Sequence, residues 1–143
     1  MEYRFIARDT GEDNVTPEYI RQLEEKLDIR FPQVLVEYYL HHNMAETKEE
    51  VCFRVFNLEF YLNYLNPLRY GDVPVEDLLK YMAGKPYLSP NLIPLAEDEE
   101  GDNFYWDSKT GKVCYICREN VMNPIPICDS VEAFIELLNN SCE

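Results

Sequence analysis

The chain predicts an α+β fold, a single domain with an antiparallel meander sheet and helices packed on one face, namely an N-terminal helix pair and a C-terminal helix. Three observations predict it. Apolar residues recur at helical spacing near both ends of the sequence, and the stretches between are rich in aromatic and branched residues, as strands are. No repeat, linker or low-complexity tract interrupts the 143 residues, so one domain over 1–143 is expected. A hydrophobic content of 46%, with 13% aromatic, gives such a domain enough apolar material for a real core.

The first helix is read from Thr16, a capping residue, Pro17 at the first helical position, and Ile20, Leu23 and Leu27 on one face. A second helix runs from Pro32 to about His42, burying Leu35, Tyr38 or Tyr39, and His42. The Phe31-Pro32 step divides the two, because a residue before proline avoids the helical region. Residues 51–56 and 59–65 then read as strands. After Pro67, Gly71 and Pro74 comes a short helix with Val75, Leu78, Leu79 and Met82 on one face and Gly84 to stop it. Pro86 and Pro90 keep the next segment extended or turning.

From Leu92 the order is strand, acidic turn, strand, turn, strand, with Gly111 supplying a positive φ in the Ser108–Gly111 turn and Lys112 to Cys117 as the third strand. Phe104 and Trp106 share the face expected under the helices, which leaves Tyr105 nearer solvent. Pro124 and Pro126 lead to the last helix. Asp129 with Glu132 has capping-box spacing, and Val131, Phe134, Ile135 and Leu138 form the buried stripe.

Charge bounds the function. Thirteen Lys and Arg against 27 Asp and Glu give a net charge of −14, which disfavours nucleic acid and anionic membrane and favours a basic protein partner. The N-terminus carries charges every few residues and no apolar signal segment, and no apolar run approaches the ~20 residues that span a bilayer. Without a secretion signal, the five cysteines are expected to be reduced and the chain cytoplasmic.

No motif for catalysis or cofactor binding is present. Cys114-x-x-Cys117 falls on a strand, where positions three apart face opposite ways, and it lacks a second pair with zinc spacing. His41 and His42 close a helix and are read as capping or packing residues. Placing Gly101 at the glycine of a calcium loop puts Ala96 at the first ligand position, so that motif fails, although an irregular divalent site stays open. There is no phosphate loop and no nucleophile elbow. No metal, no cofactor and no enzymatic activity are expected.

The most distinctive stretch is the acidic turn. Six carboxylates (Glu97, Asp98, Glu99, Glu100, Asp102, Asp107) lie within eleven residues that hold no Lys or Arg, beside Phe104, Tyr105 and Trp106. On charge and expected exposure, Asp98, Glu99, Glu100, Asp102, Tyr105 and Asp107 are the candidate partner-binding residues.

The order of segments resembles the SUKH superfamily, which includes a domain of yeast cell-wall-synthesis regulators and many bacterial immunity proteins. The resemblance is carried by Ile20-x-x-Leu23-Glu24-x-x-Leu27, then Phe31-Pro32-x-x-Leu35-x-x-Tyr38-Tyr39-Leu40. Further along come Ile93-Pro94-Leu95-Ala96, the acidic turn with Gly101, Tyr105 and Asp107, Gly111-Lys112-Val113, and Ser130-Val131-x-x-Phe134-Ile135-x-x-Leu138. It spans a core of about residues 16–140. Where the family usually has Asn-Gly-Gly, this chain has Asn43-Met44-Ala45, so Asn43 alone is expected to take the left-handed conformation. Residues 57–84 match poorly. The resemblance implies a non-enzymatic binder, commonly an immunity protein that occludes a toxin, often a nuclease, and otherwise a regulatory or scaffold module.

Overall fold

A computed structural model describes residues 2–141. The chain runs β1 (Ile6–Arg8), α1 (Pro17–Leu27), α2 (Gln33–His41), β2 (Glu46–Thr47), β3 (Cys52–Val55), β4 (Leu58–Leu65) and α3 (Val75–Met82). It continues as β5 (Leu92–Asp98), β6 (Asn103–Asp107), β7 (Val113–Ile116), a 3₁₀ turn (Arg118–Asn120), β8 (Ile125–Cys128) and α4 (Val131–Asn139). Among the described residues β3 to β8 form one six-stranded meander in sequence order, all antiparallel, and β1 pairs with β2 separately. The architecture is α+β, as the residue pattern predicts.

Local chemistry places the elements. Thr16 caps α1 through its hydroxyl, which accepts from the Tyr19 N–H at 3.1 Å, with Pro17 opening the helix. At α4 the capping oxygen belongs to Ser130, accepting from the Ala133 N–H at 3.0 Å; Asp129, which the spacing suggested, precedes the cap. The strands β1, β2 and β8 escape a periodicity reading because they are two to four residues long. In β8, Pro126 is tolerated because that strand is at the edge of the sheet.

Strand alternation sends the two faces to different partners. Ile93, Leu95, Phe104, Trp106, Val113 and Tyr115 enter the main core with residues of α1, α2 and α4. Leu92, Tyr105, Cys114 and Ile116 face the other way and pack with Leu79 and Met82 of α3. Phe104 packs in tilted and edge-on contacts with Phe53, Phe60, Tyr115 and Phe134, joining sheet to α4. Both Tyr38 and Tyr39 are buried, where the spacing left the choice open. Register shifts between Leu62 and Tyr64 and between Pro94 and Ala96 interrupt the regular pairing of β4 and β5 with their neighbours, and Tyr64 pairs with Glu97, both half-buried.

Candidate functional site

The β5–β6 turn is built around a carboxylate. The Asp98 side chain is only 6% exposed, and its Oδ1 accepts from the Glu100 N–H at 3.0 Å and the Asp102 N–H at 2.8 Å. The Tyr115 hydroxyl donates to Asp98 Oδ2 at 2.5 Å. Asp102, 5% exposed, accepts through Oδ1 from the Arg118 N–H at 3.0 Å and lies 3.2 Å from its Nε. Arg118 also donates to the Glu100 carbonyl at 2.9 Å, and Gly101 closes the turn at φ +86°. Carboxylates accepting several N–H bonds hold a tight turn from inside. The expectation that Asp98 and Asp102 project outward is therefore corrected: their oxygens are turned into the turn, because its backbone donors have no other acceptor.

The other four candidates divide. Glu99 and Glu100 are exposed. Tyr105 is half-buried beneath α3, and burial, then the nearby Cys114 and Asp102, pushes its phenol up to about 12. Asp107 accepts from the N–H groups of Lys109 and Thr110 at 2.8 and 3.2 Å, organising the next turn. Only the two glutamates combine charge with free access.

A second feature adjoins Glu99. A groove of about 570 Å³ lies between the loop after α2, the outward side of β4 and the 67–73 loop. Its floor includes Leu62, Leu65 and Pro67, all buried, and its lip carries Met44 (41% exposed) and Val73 (42% exposed). Five carboxylates line it, from Glu46, Glu49, Glu50, Asp72 and Glu99, against one cation, Lys48. Tyr64 lies in the wall; burial, then the negative charges of Glu97 and Asp72, push its phenol up to about 12. It is a neutral donor at ordinary pH.

Asn43 positions both walls. It is buried, its amide nitrogen donates to the Asp13 and Leu68 carbonyls at 2.8 and 2.9 Å, and its Oδ1 accepts from the Leu68 N–H at 3.0 Å. With its side chain so engaged, the left-handed residue is Met44, at φ +67°, and not Asn43 as expected. Met44 then folds over Gly71, where a Cβ would meet its Sδ at 3.0 Å. Sequence reading missed this groove. The signal available was the run of Glu46, Glu49 and Glu50, which by itself looks like any solvated loop.

The remaining polar clusters offer less. Asp98, Glu100 and Asp102 present oxygens within 4.8 Å of one another, but a cation there would compete with the Arg118 guanidinium already on Asp102. Cys114 packs in the α3 cluster while Cys117 packs against the main core, the opposite facing expected of a strand. Cys114, Cys117 and Cys128 are free thiols; Cys52 is disulfide-bonded, which departs from the expectation of reduced cysteines throughout. His42 contacts Asp9 at 2.5 Å and packs on Tyr3 and Tyr38, and His41 is exposed. Among the described residues no helix is long and apolar enough to cross a membrane.

A family model described as the SMI1 / KNR4 family (SUKH-1) matches residues 14–137, from just before α1 into α4. No curated relative matches the chain.

Proposed function

Because this chain belongs to the SMI1 / KNR4 family (SUKH-1), we propose that it is a non-enzymatic protein-binding domain, specifically an immunity protein that neutralises a basic toxin domain by covering it. The SUKH resemblance brings in the immunity role; the basic character of the partner comes from the charge. One observation carries the reading: a chain of net charge −14 sets exposed Glu99 and Glu100 beside a groove lined with further acids. Such a face attracts a cationic protein over long range, competes with phosphate for its surface, and associates quickly at low salt. Asp98 and Asp102 hold the turn that presents the two glutamates. Neutralisation needs no chemistry from this chain, only occlusion, and the cytoplasm is the compartment in which it would act.

The test is to isolate the partner protein by pull-down with this chain and to co-express the two in cells whose growth the partner alone arrests. Growth is restored by the wild type and lost when Glu99→Lys and Glu100→Lys are combined, since both side chains are exposed and their reversal spares the fold. If the wild type restores no growth, the immunity reading fails; if the double reversal still rescues, the turn is not the contact. A second reading, favoured by the regulator relatives in the family, is a regulatory or scaffold module with no toxin partner. It predicts a bound protein that is harmless when expressed alone.

A further inference from the structure

We infer that the groove beside β4 seats an extended, arginine- or lysine-bearing segment of the partner protein, with Met44 and Val73 holding the aliphatic stems and the surrounding carboxylates holding the heads. This deepens the reading above and rests on its basic partner. The groove has both halves of what an amphipathic cation needs: an apolar floor and lip, and a rim of five acids against one lysine. Its size, about 570 Å³, is that of a pocket for a few side chains and not for a folded surface. Acid continues beyond it, since Glu99 lines the groove and also belongs to the β5–β6 turn, where Glu100 is exposed. A chain lying from groove to turn meets charge along its length, whereas a small polyamine would fill only one end. The walls are set beforehand by the Asn43 amide, which ties the end of α2 to Leu68, so little ordering is required when the segment arrives.

The test is a titration of the whole chain with an acetylated, amidated hexapeptide of alternating arginine and valine, followed by amide NMR at low salt. Saturable shifts are expected at Met44, Tyr64 and Val73, and the pair Glu46→Gln with Asp72→Asn should weaken binding about fivefold. Both side chains are exposed, so folding is not at stake. No saturable shift, or shifts confined to residues 98–102, would overturn the groove assignment. Equal affinity for spermine would overturn the extended-chain part. If the toxin domain binds the wild type and the groove pair alike, the groove is wrong although the immunity reading survives. If no toxin is neutralised while the peptide still seats, the immunity reading fails and the groove stands.

Discussion

Asp98 tests whether the acidic turn is held from within. Replacing it by alanine removes the acceptor for three donors, the N–H groups of Glu100 and Asp102 and the Tyr115 hydroxyl, at 3.0, 2.8 and 2.5 Å. The Glu100 N–H has partial access to water, whereas the other two are buried. At roughly 1 kcal/mol for each buried or half-buried donor left unpaired, the low end of the usual range, Asp98→Ala costs about 3 kcal/mol. In urea, with a slope near 2 kcal/mol per molar, the midpoint falls by about 1.5 M. Asp98→Asn keeps an oxygen for the two N–H groups, and the Tyr115 hydroxyl can rotate to accept from the new amide, so that variant loses only about 1 kcal/mol. Tyr115→Phe should couple with Asp98→Ala by about 1 kcal/mol in a double-mutant cycle. Glu99→Gln, at an exposed site, stays within about 0.5 kcal/mol of wild type. An Asp98→Ala midpoint indistinguishable from that of Glu99→Gln would refute the argument and return Asp98 to the surface.

Three further outcomes follow from the same geometry. Burial raises the phenol pKa of Tyr38, Tyr39 and Tyr115, so the unfolded chain ionises near pH 10 while the folded one keeps these protons. That stability is present below about pH 10 and lost as the pH rises beyond it, so urea midpoints should fall between pH 10 and 11; a flat profile contradicts the burial. Gly71→Ala places a Cβ at φ +90° and 3.0 Å from Met44 Sδ, costing about 1–2 kcal/mol in urea and displacing the Met44 methyl resonance. An unmoved methyl would mean that Met44 does not close the groove. Burial also pushes the Cys114 and Cys128 thiols up to about 11; at pH 8 the thiolate fraction falls roughly a hundredfold while its nucleophilicity rises roughly tenfold, so each should react with a disulfide reagent about tenfold more slowly than a small free thiol, as read by timed mass spectrometry.

Where a residue's role is decided by its near neighbours in the chain, sequence and structure agree. Thr16 and Pro17 start α1, the stripe of Val131, Phe134, Ile135 and Leu138 buries α4, and alternation in β6 sends Phe104 and Trp106 inward. Periodicity of 3.6 or 2 is a local property, so these elements and the α+β class were legible before any coordinates. Charge was legible as a sum and as a cluster at residues 97–107. Which carboxylates face water was not. Asp98 and Glu99 are neighbours in the chain, yet one is closed in by Tyr115 and the other is open, because a turn and a strand 17 residues away decide it. Arg118 reaches Asp102 across 16 residues, and Asn43 reaches Leu68 across 25. The groove exists only where those long reaches bring the 44–50 loop, β4 and the 67–73 loop together. Composition determined the sign of the chain's own charge; side-chain hydrogen bonds between distant segments, which no local pattern encodes, decided where that charge is presented.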